Sequence, residues 1–141
     1  MEQVDEALLR NILNAHSKTP RAALYLELGC LPIRWYIRRR RLNFLHEILN
    51  LDKKQLLSKF FKCQESSPYK GDWIVTIRED LQKLNIDMTF EQIQSMKKSK
   101  FKKFIKEKIN NSAFQYLLGE KKEKNEKSYI QKIRNSTLLF I

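Results

Sequence analysis

The chain has 141 residues, 42% hydrophobic and 11% aromatic, which argues for one domain with a packed core and against global disorder. Its 28 Lys and Arg against 16 Asp and Glu give a net charge of +12. That points to a polyanionic partner and away from a neutral enzyme acting on a small molecule. Three glycines and three prolines allow few tight turns and favour long helices over a sheet.

The first element, VDEALLRNILNA, places Val4, Leu8, Leu9 and Ile12 on one helical face. It begins without an N-cap, as a chain cut from something longer would. In SKTPRAALYLELG, Thr19 is the expected N-cap, Pro20 the first helical position and Gly29 the stop. Pro32 opens an arginine-rich helix that reaches about Asn50. Asp52 is expected to cap KKQLLSKFFKCQ, with Leu56, Leu57, Phe60 and Phe61 turned inward. SSPYKG is the clearest break. Asp72 then caps WIVTIREDLQKL, in which Trp73, Ile74, Ile77, Leu81 and Leu84 recur at helical spacing. Thr89 with Gln92 forms a capping box for a short helix ending near Met96.

The last strong element is SKFKKFIKEKINNSAFQYLLG, with Phe101, Phe104, Ile105, Ile109 and Phe114 on its apolar side. Past Gly119 the run EKKEKNEKS is charged and expected to fray, and the final STLLFI either docks or hangs free. The expectation is an all-α, irregular bundle of about six to seven helices over residues 1–119, ending in a basic C-terminal helix. A partly disordered tail over 120–141 follows.

Charge is uneven along the chain. Residues 1–93 carry 15 basic and 12 acidic side chains, and residues 94–141 carry 13 and 4. In the helix PIRWYIRRRRLNFLHEILN, counting about 100° per residue from Ile33 puts Phe44, Ile37 and Ile48 at about 20°, 40° and 60°. Leu45 and Leu49 extend the apolar arc to about 120° and 160°, so Arg41, Arg34 and Arg38, at about 80°, 100° and 140°, fall inside it. An unpaired charge there costs several kcal/mol, so these three need an anion or must snorkel out. Glu27, Glu79 or Asp80 is the internal choice, by a forked pair, and a phosphate is the external one. Arg39 and Arg40 point away from the arc and are candidate phosphate contacts.

In KKSKFKKFIKEK, seven lysines and one glutamate surround Phe101, Phe104 and Ile105. Lysine is a hydrated point charge that suits a phosphate backbone better than a base edge, so Lys98, Lys102, Lys103 and Lys106 join the candidate contacts. The plain alternative is a solvated helix face.

Motifs for chemistry are missing. Asp5, Asp52, Asp72, Asp80 and Asp87 are scattered, and Glu79 and Asp80 diverge by about 100° on a helix, so no two-metal site is visible. His16, His46, Cys30 and Cys63 lack metal-ligand spacing, and there is no glycine-rich phosphate loop. Cys63 is expected to be a small buried hydrophobe, and Trp35 and Trp73 core anchors. With no signal peptide h-region and no bilayer-length apolar run, the expected location is intracellular, nucleus or cytoplasm. No cofactor and no metal is expected.

The blocks LRNILNAHSKTPRAALYLELGCLPIRWYIRRRRLNFLHEILN, YKGDWIVTIREDLQKLNI and MTFEQIQSMKKSKFKKFIKEKI resemble the region after the polymerase core in non-LTR, LINE-like retrotransposon polyproteins. The shared elements are Ser17–Pro20, Leu28–Arg34, Arg40–Leu42, Gly71–Trp73 and Lys97–Lys108, in the same order, over most of residues 4–118. The resemblance implies a non-enzymatic fragment of a reverse transcriptase that holds RNA or DNA, and an upstream polymerase domain as a further partner. The catalytic aspartates would lie upstream. The zinc knuckle of some such elements has no counterpart in these cysteines. No membrane and no small-molecule substrate are expected.

Overall fold

A computed structural model of the chain describes the backbone of residues 2–138 and the side chains of residues 3–125 and 127. The all-α class expected from the sequence is the one found. The described residues form α1 (Glu2–Ile12), α2 (Arg21–Leu28), α3 (Ile33–Leu49), α4 (Leu56–Ser66), α5 (Trp73–Lys83), α6 (Phe90–Ser95) and α7 (Lys98–Leu138), with no strand among them. The chain divides into two compact units, one of Met1–Ile33 with Asn111–Ile141, the other of Arg34–Asn110.

The caps follow the sequence in part. Thr89 and Gln92 close the expected capping box: Gln92 N donates to Thr89 Oγ1 at 3.3 Å and Thr89 N donates to Gln92 Oε1 at 2.9 Å. Gly29 ends α2 in the left-handed region at φ 62°, which a side chain would strain. Pro20, rather than Thr19, occupies the N-cap of α2. Asp52 serves the turn before α4, accepting from Lys54 N at 3.0 Å, and Gln55 takes the N-cap. Asp72 stands at the N-cap of α5, but its carboxylate accepts from Tyr69 N at 2.8 Å, tying down the loop before it.

In the first unit, Leu9, Ala22, Leu24, Tyr25 and Leu117 form the core, with Leu13, Ala15 and Cys30 packed against it. Only Leu9 of the four apolar α1 positions is buried; Val4, Leu8 and Ile12 are exposed. The reason lies in the other residues of α1. Tyr25 donates to Asp5 at 2.7 Å and Arg21 donates to Glu6, so the inward face of α1 is partly ionic. Arg21 also pairs with Glu120, which accepts from Tyr116 Oη at 2.6 Å. Helix α7 does not stop at Gly119 but continues to Leu138, and the side chains of STLLFI lie outside the described residues.

In the second unit the core is built on α3, α5 and the first part of α7. Leu42, Leu45, Ile74, Ile77, Ile93, Phe101 and Ile105 are sealed from solvent. Trp73 meets Phe44 and Phe61 edge-on at 5.8 and 6.0 Å, and Phe61 meets Phe90 at 5.6 Å. Helix α4 departs most from expectation. Phe61 alone of its four large apolar side chains is buried, while Leu56, Leu57 and Phe60 are exposed. Ser58 takes the other inward position, three residues before Phe61 on the same face. Cys63 is exposed as well, and Phe114 on α7 is half-exposed.

Two outcomes check this packing. Leu45→Ala and Ile77→Ala should each lower the unfolding free energy by about 2–4 kcal/mol. Phe60→Ala should change it by less than about 0.5 kcal/mol. Urea denaturation followed by circular dichroism measures both. In the first unit, burial pushes the Glu120 carboxyl up, but the hydrogen bonds from Tyr116 and Arg21 outweigh it and hold the group below the usual range. Its folded value is thus lower than its unfolded value of about 4.3. The resulting stability is complete above the unfolded value and is lost as pH falls through the folded one. Thermal stability should fall from about pH 5 to about pH 3, and fall less steeply in Glu120→Gln.

Candidate nucleic-acid interface

The arginine tetrad of α3 is divided by helix geometry. The buried side chains Trp35, Leu42, Leu45, His46 and Ile48 span about 60° to about 220° on the wheel counted from Ile33. The buried arc is thus displaced from the one the sequence suggested. Ile37 and Phe44, expected inside, are 39% and 43% exposed. Arg38 falls near the middle of the buried arc and Arg41 just inside its edge, and both find a carboxylate there.

That carboxylate is Asp80 on α5, itself only 2% exposed. Arg38 Nε donates to Asp80 Oδ1 at 2.8 Å. Arg41 Nε donates to Oδ2 at 2.8 Å, and its terminal nitrogen pairs with the same oxygen at 2.7 Å. Each arginine therefore takes one oxygen, instead of one arginine forking both. The Arg38 guanidinium also lies 4.7 Å from the centre of the Trp35 ring. Arg34 is half-buried in the first turn of α3.

Of the two remaining arginines, Arg40 is exposed. Arg39 is half-buried, its guanidinium 5.5 Å from the ring centre of Tyr36. On α7, Phe101, Ile105 and Ile109 make the buried stripe at steps of four. Lys98, Lys102 and Lys106 repeat the same step, so they form a parallel row on one flank. Lys103 lies opposite the stripe, and Lys102, Lys103 and Lys106 are exposed. Lys98 is already engaged by Glu47 at 2.9 Å. Hydrogen bonding and charge from Lys98, helped by the charge of Lys102, hold the Glu47 carboxyl below its ordinary range. Among the described residues no carboxylate pairs with Arg40, Lys102, Lys103 or Lys106.

Glu47, which holds Lys98, lies on the same helix as the arginines. It stands seven residues after Arg40, two turns along the same face of α3, about 10 Å away along the axis. A shallow groove of about 700 Å³ lies where α3 ends and α7 begins, lined by Glu47, Asn50, Gln94, Lys97 and Lys98 with His46 beneath. His46 is 5% exposed. It stacks on Phe101 at 5.0 Å, and its Nε2 is 2.8 Å from the Met96 carbonyl, which fixes Nε2 as the protonated nitrogen.

The role of Asp80 was open in the sequence, where it shared candidacy with Glu79 and Glu27. The helical wheel of α5 decides it. Asp80 falls on the arc of Ile77, Leu81 and Leu84, whereas Glu79 points outward. The engagement of Lys98 by Glu47 and the burial of His46 had no signal in the spacing. Among the described residues there is no cluster of three or more potential metal ligands, and no helix long and apolar enough to cross a membrane.

Comparison with protein-family models, with curated proteins and with solved structures gives no significant match to this chain.

The division of the arginines has a direct check. Asp80→Asn strands two guanidinium groups and should cost about 3 kcal/mol, the lower end for a broken buried pair because Arg41 still reaches water. The Arg39→Ala/Arg40→Ala double variant should stay within about 0.5 kcal/mol of wild type. Chemical denaturation of the three proteins at one pH makes the comparison.

Proposed function

We propose that this chain is a non-catalytic helical module that holds the phosphate backbone of RNA or DNA. Arg39, Arg40, Lys98, Lys102, Lys103 and Lys106 make the contacts. The observation that carries the reading is where the charge resides. Residues 34–110 hold 19 basic and nine acidic side chains, a balance of +10 out of the chain's +12. That balance already counts Asp80 and Glu47, so their internal pairing takes nothing further from it. The exposed lysines of α7 are flexible, hydrated donors suited to a sequence-independent backbone contact. The resemblance to the post-polymerase region of LINE-like reverse transcriptases agrees with such a role, in the nucleus or cytoplasm. On that view the chain accompanies a polymerase domain and supplies none of its catalysis.

A second reading is favoured by a different observation. Val4, Leu8 and Ile12 are exposed at steps of four along α1, an apolar row that suits docking on another protein, such as a polymerase core.

Filter binding of the whole chain to RNA and to DNA across a salt series tests the first reading. Five to six phosphate contacts give a slope of log K against log salt of about −5 on duplex DNA, so affinity should drop about a thousandfold between about 50 and about 200 mM salt. Lys102→Ala/Lys103→Ala/Lys106→Ala should reduce the slope by about 2 to 3 and weaken all sequences alike. Binding that ignores salt would end this reading. A chain that binds neither polymer but self-associates in sedimentation, and loses that association in Leu8→Lys, favours the second.

A further inference from the structure

The outward face of α3 carries three apolar side chains that the core leaves in solvent: Tyr36 at 36%, Ile37 at 39% and Phe44 at 43% exposure. Arg40 stands among them. They are its i−4, i−3 and i+4 positions, the nearest neighbours on a helix surface. A face that only needed to attract phosphate has no use for exposed rings. A face that only needed to bury apolar area would not place an exposed guanidinium at its centre, where closure would strip it of water. A ligand that is both anionic and aromatic on this scale satisfies both groups at once. Nucleotides with unpaired bases are such a ligand.

We propose that this face of α3 is a stacking platform for single-stranded nucleic acid. Arg40 holds a phosphate, and the rings of Tyr36 and Phe44 receive the bases on either side of it. The proposal rests on the reading of this unit as a phosphate-binding surface and narrows its ligand to unpaired strands. Along the helix axis each ring lies about 6 Å from Arg40, one on each side. A phosphodiester likewise carries one nucleoside on each side.

The platform is partly built in advance. The Phe44 ring meets Trp73 edge-on at 5.8 Å, and Trp73 rests in turn on the buried Phe61. A ring held this way loses little freedom when a base stacks on it. The Arg39 guanidinium, 5.5 Å from the Tyr36 ring centre, adds a second cation at the other end. A duplex hides its base faces and offers only phosphate and groove edges, so it gains nothing from the rings. An anionic membrane also offers charge and apolar matter. Membrane-binding helices, however, keep their cations off the middle of the inserted face, and here Arg40 occupies that middle.

The test measures anisotropy of labelled oligouridine and of an RNA duplex with the same number of phosphates, using the whole chain at one salt concentration. Vesicles of phosphatidylserine and phosphatidylcholine form a third arm. The wild-type chain should prefer the single strand at least tenfold. Tyr36→Leu/Phe44→Leu, which keeps the apolar bulk and removes the rings, should lose at least tenfold for oligouridine and nothing for duplex. Tyr36→Phe should bind like wild type. On the unaltered chain, oligouridine should partly quench the tryptophan emission, the part from Trp73 behind Phe44, and duplex should not, a readout that needs no variant to fold. Equal affinity for both RNAs, or a double variant that binds oligouridine normally, overturns the platform and leaves the phosphate reading standing. Vesicle binding that needs the two rings while RNA binding does not overturns it in favour of lipid. Absence of binding to either RNA overturns both readings.

Discussion

Two guanidinium groups on one buried carboxylate set the terms for the second unit. Asp80 lies on the inner arc of α5 beside Ile77, Leu81 and Leu84, and it is nearly sealed from water. Removing a carboxylate from water is costly, and the cost is met only when its lone pairs are filled. Arg38 and Arg41 fill them from one helix, one oxygen each. This fixes the rotation of α3 about its axis relative to α5. With Arg38 and Arg41 turned in, Leu42, Leu45 and Ile48 follow them into the core, and Arg40 must turn out.

The four consecutive arginines are therefore two different devices. One pair is a structural clamp that leaves a single excess positive charge on three buried or half-buried groups. The other pair takes no part in that clamp, with Arg40 in solvent and Arg39 beside Tyr36. A run of identical residues on a helix cannot serve one purpose, because consecutive side chains diverge by about 100°. The lysine row of α7 obeys the same geometry, since its step of four matches the step of the buried stripe beside it.

The helices themselves were legible because capping and periodicity act locally. The Thr89–Gln92 box and the Gly29 stop depend on neighbours in the chain and came out as the spacing implied. The pairing of the α3 arginines with an internal acid was legible as a need, with Glu27, Glu79 and Asp80 all open, and the packed structure singled out Asp80. What failed was the rotation of the apolar faces. On α3, the apolar weight of Phe44 and Ile37 suggested one arc, while Trp35 and Leu42 with the Asp80 pairing imposed another. On α4, four large apolar side chains spread around the helix, and a small residue, Ser58, took an inward place beside Phe61. A wheel reports which residues share a face, but which face turns inward depends on what stands opposite. Nothing in the spacing indicated that Glu47 would reach across to Lys98.

That last contact gives the cationic surface a counter-ion of its own. An ordinary counter-ion leaves for bulk solution when a polyanion arrives, and its dispersal helps drive the association. Glu47 is bonded to the chain and cannot disperse. Whatever anion takes Lys98 has to outcompete a carboxylate that remains next to it, with no gain from dilution. Lys98 is thus the least willing cation of its row. An anion approaching this row would meet it unguarded at Lys102 and Lys106, and would face a raised threshold at the end nearest α3.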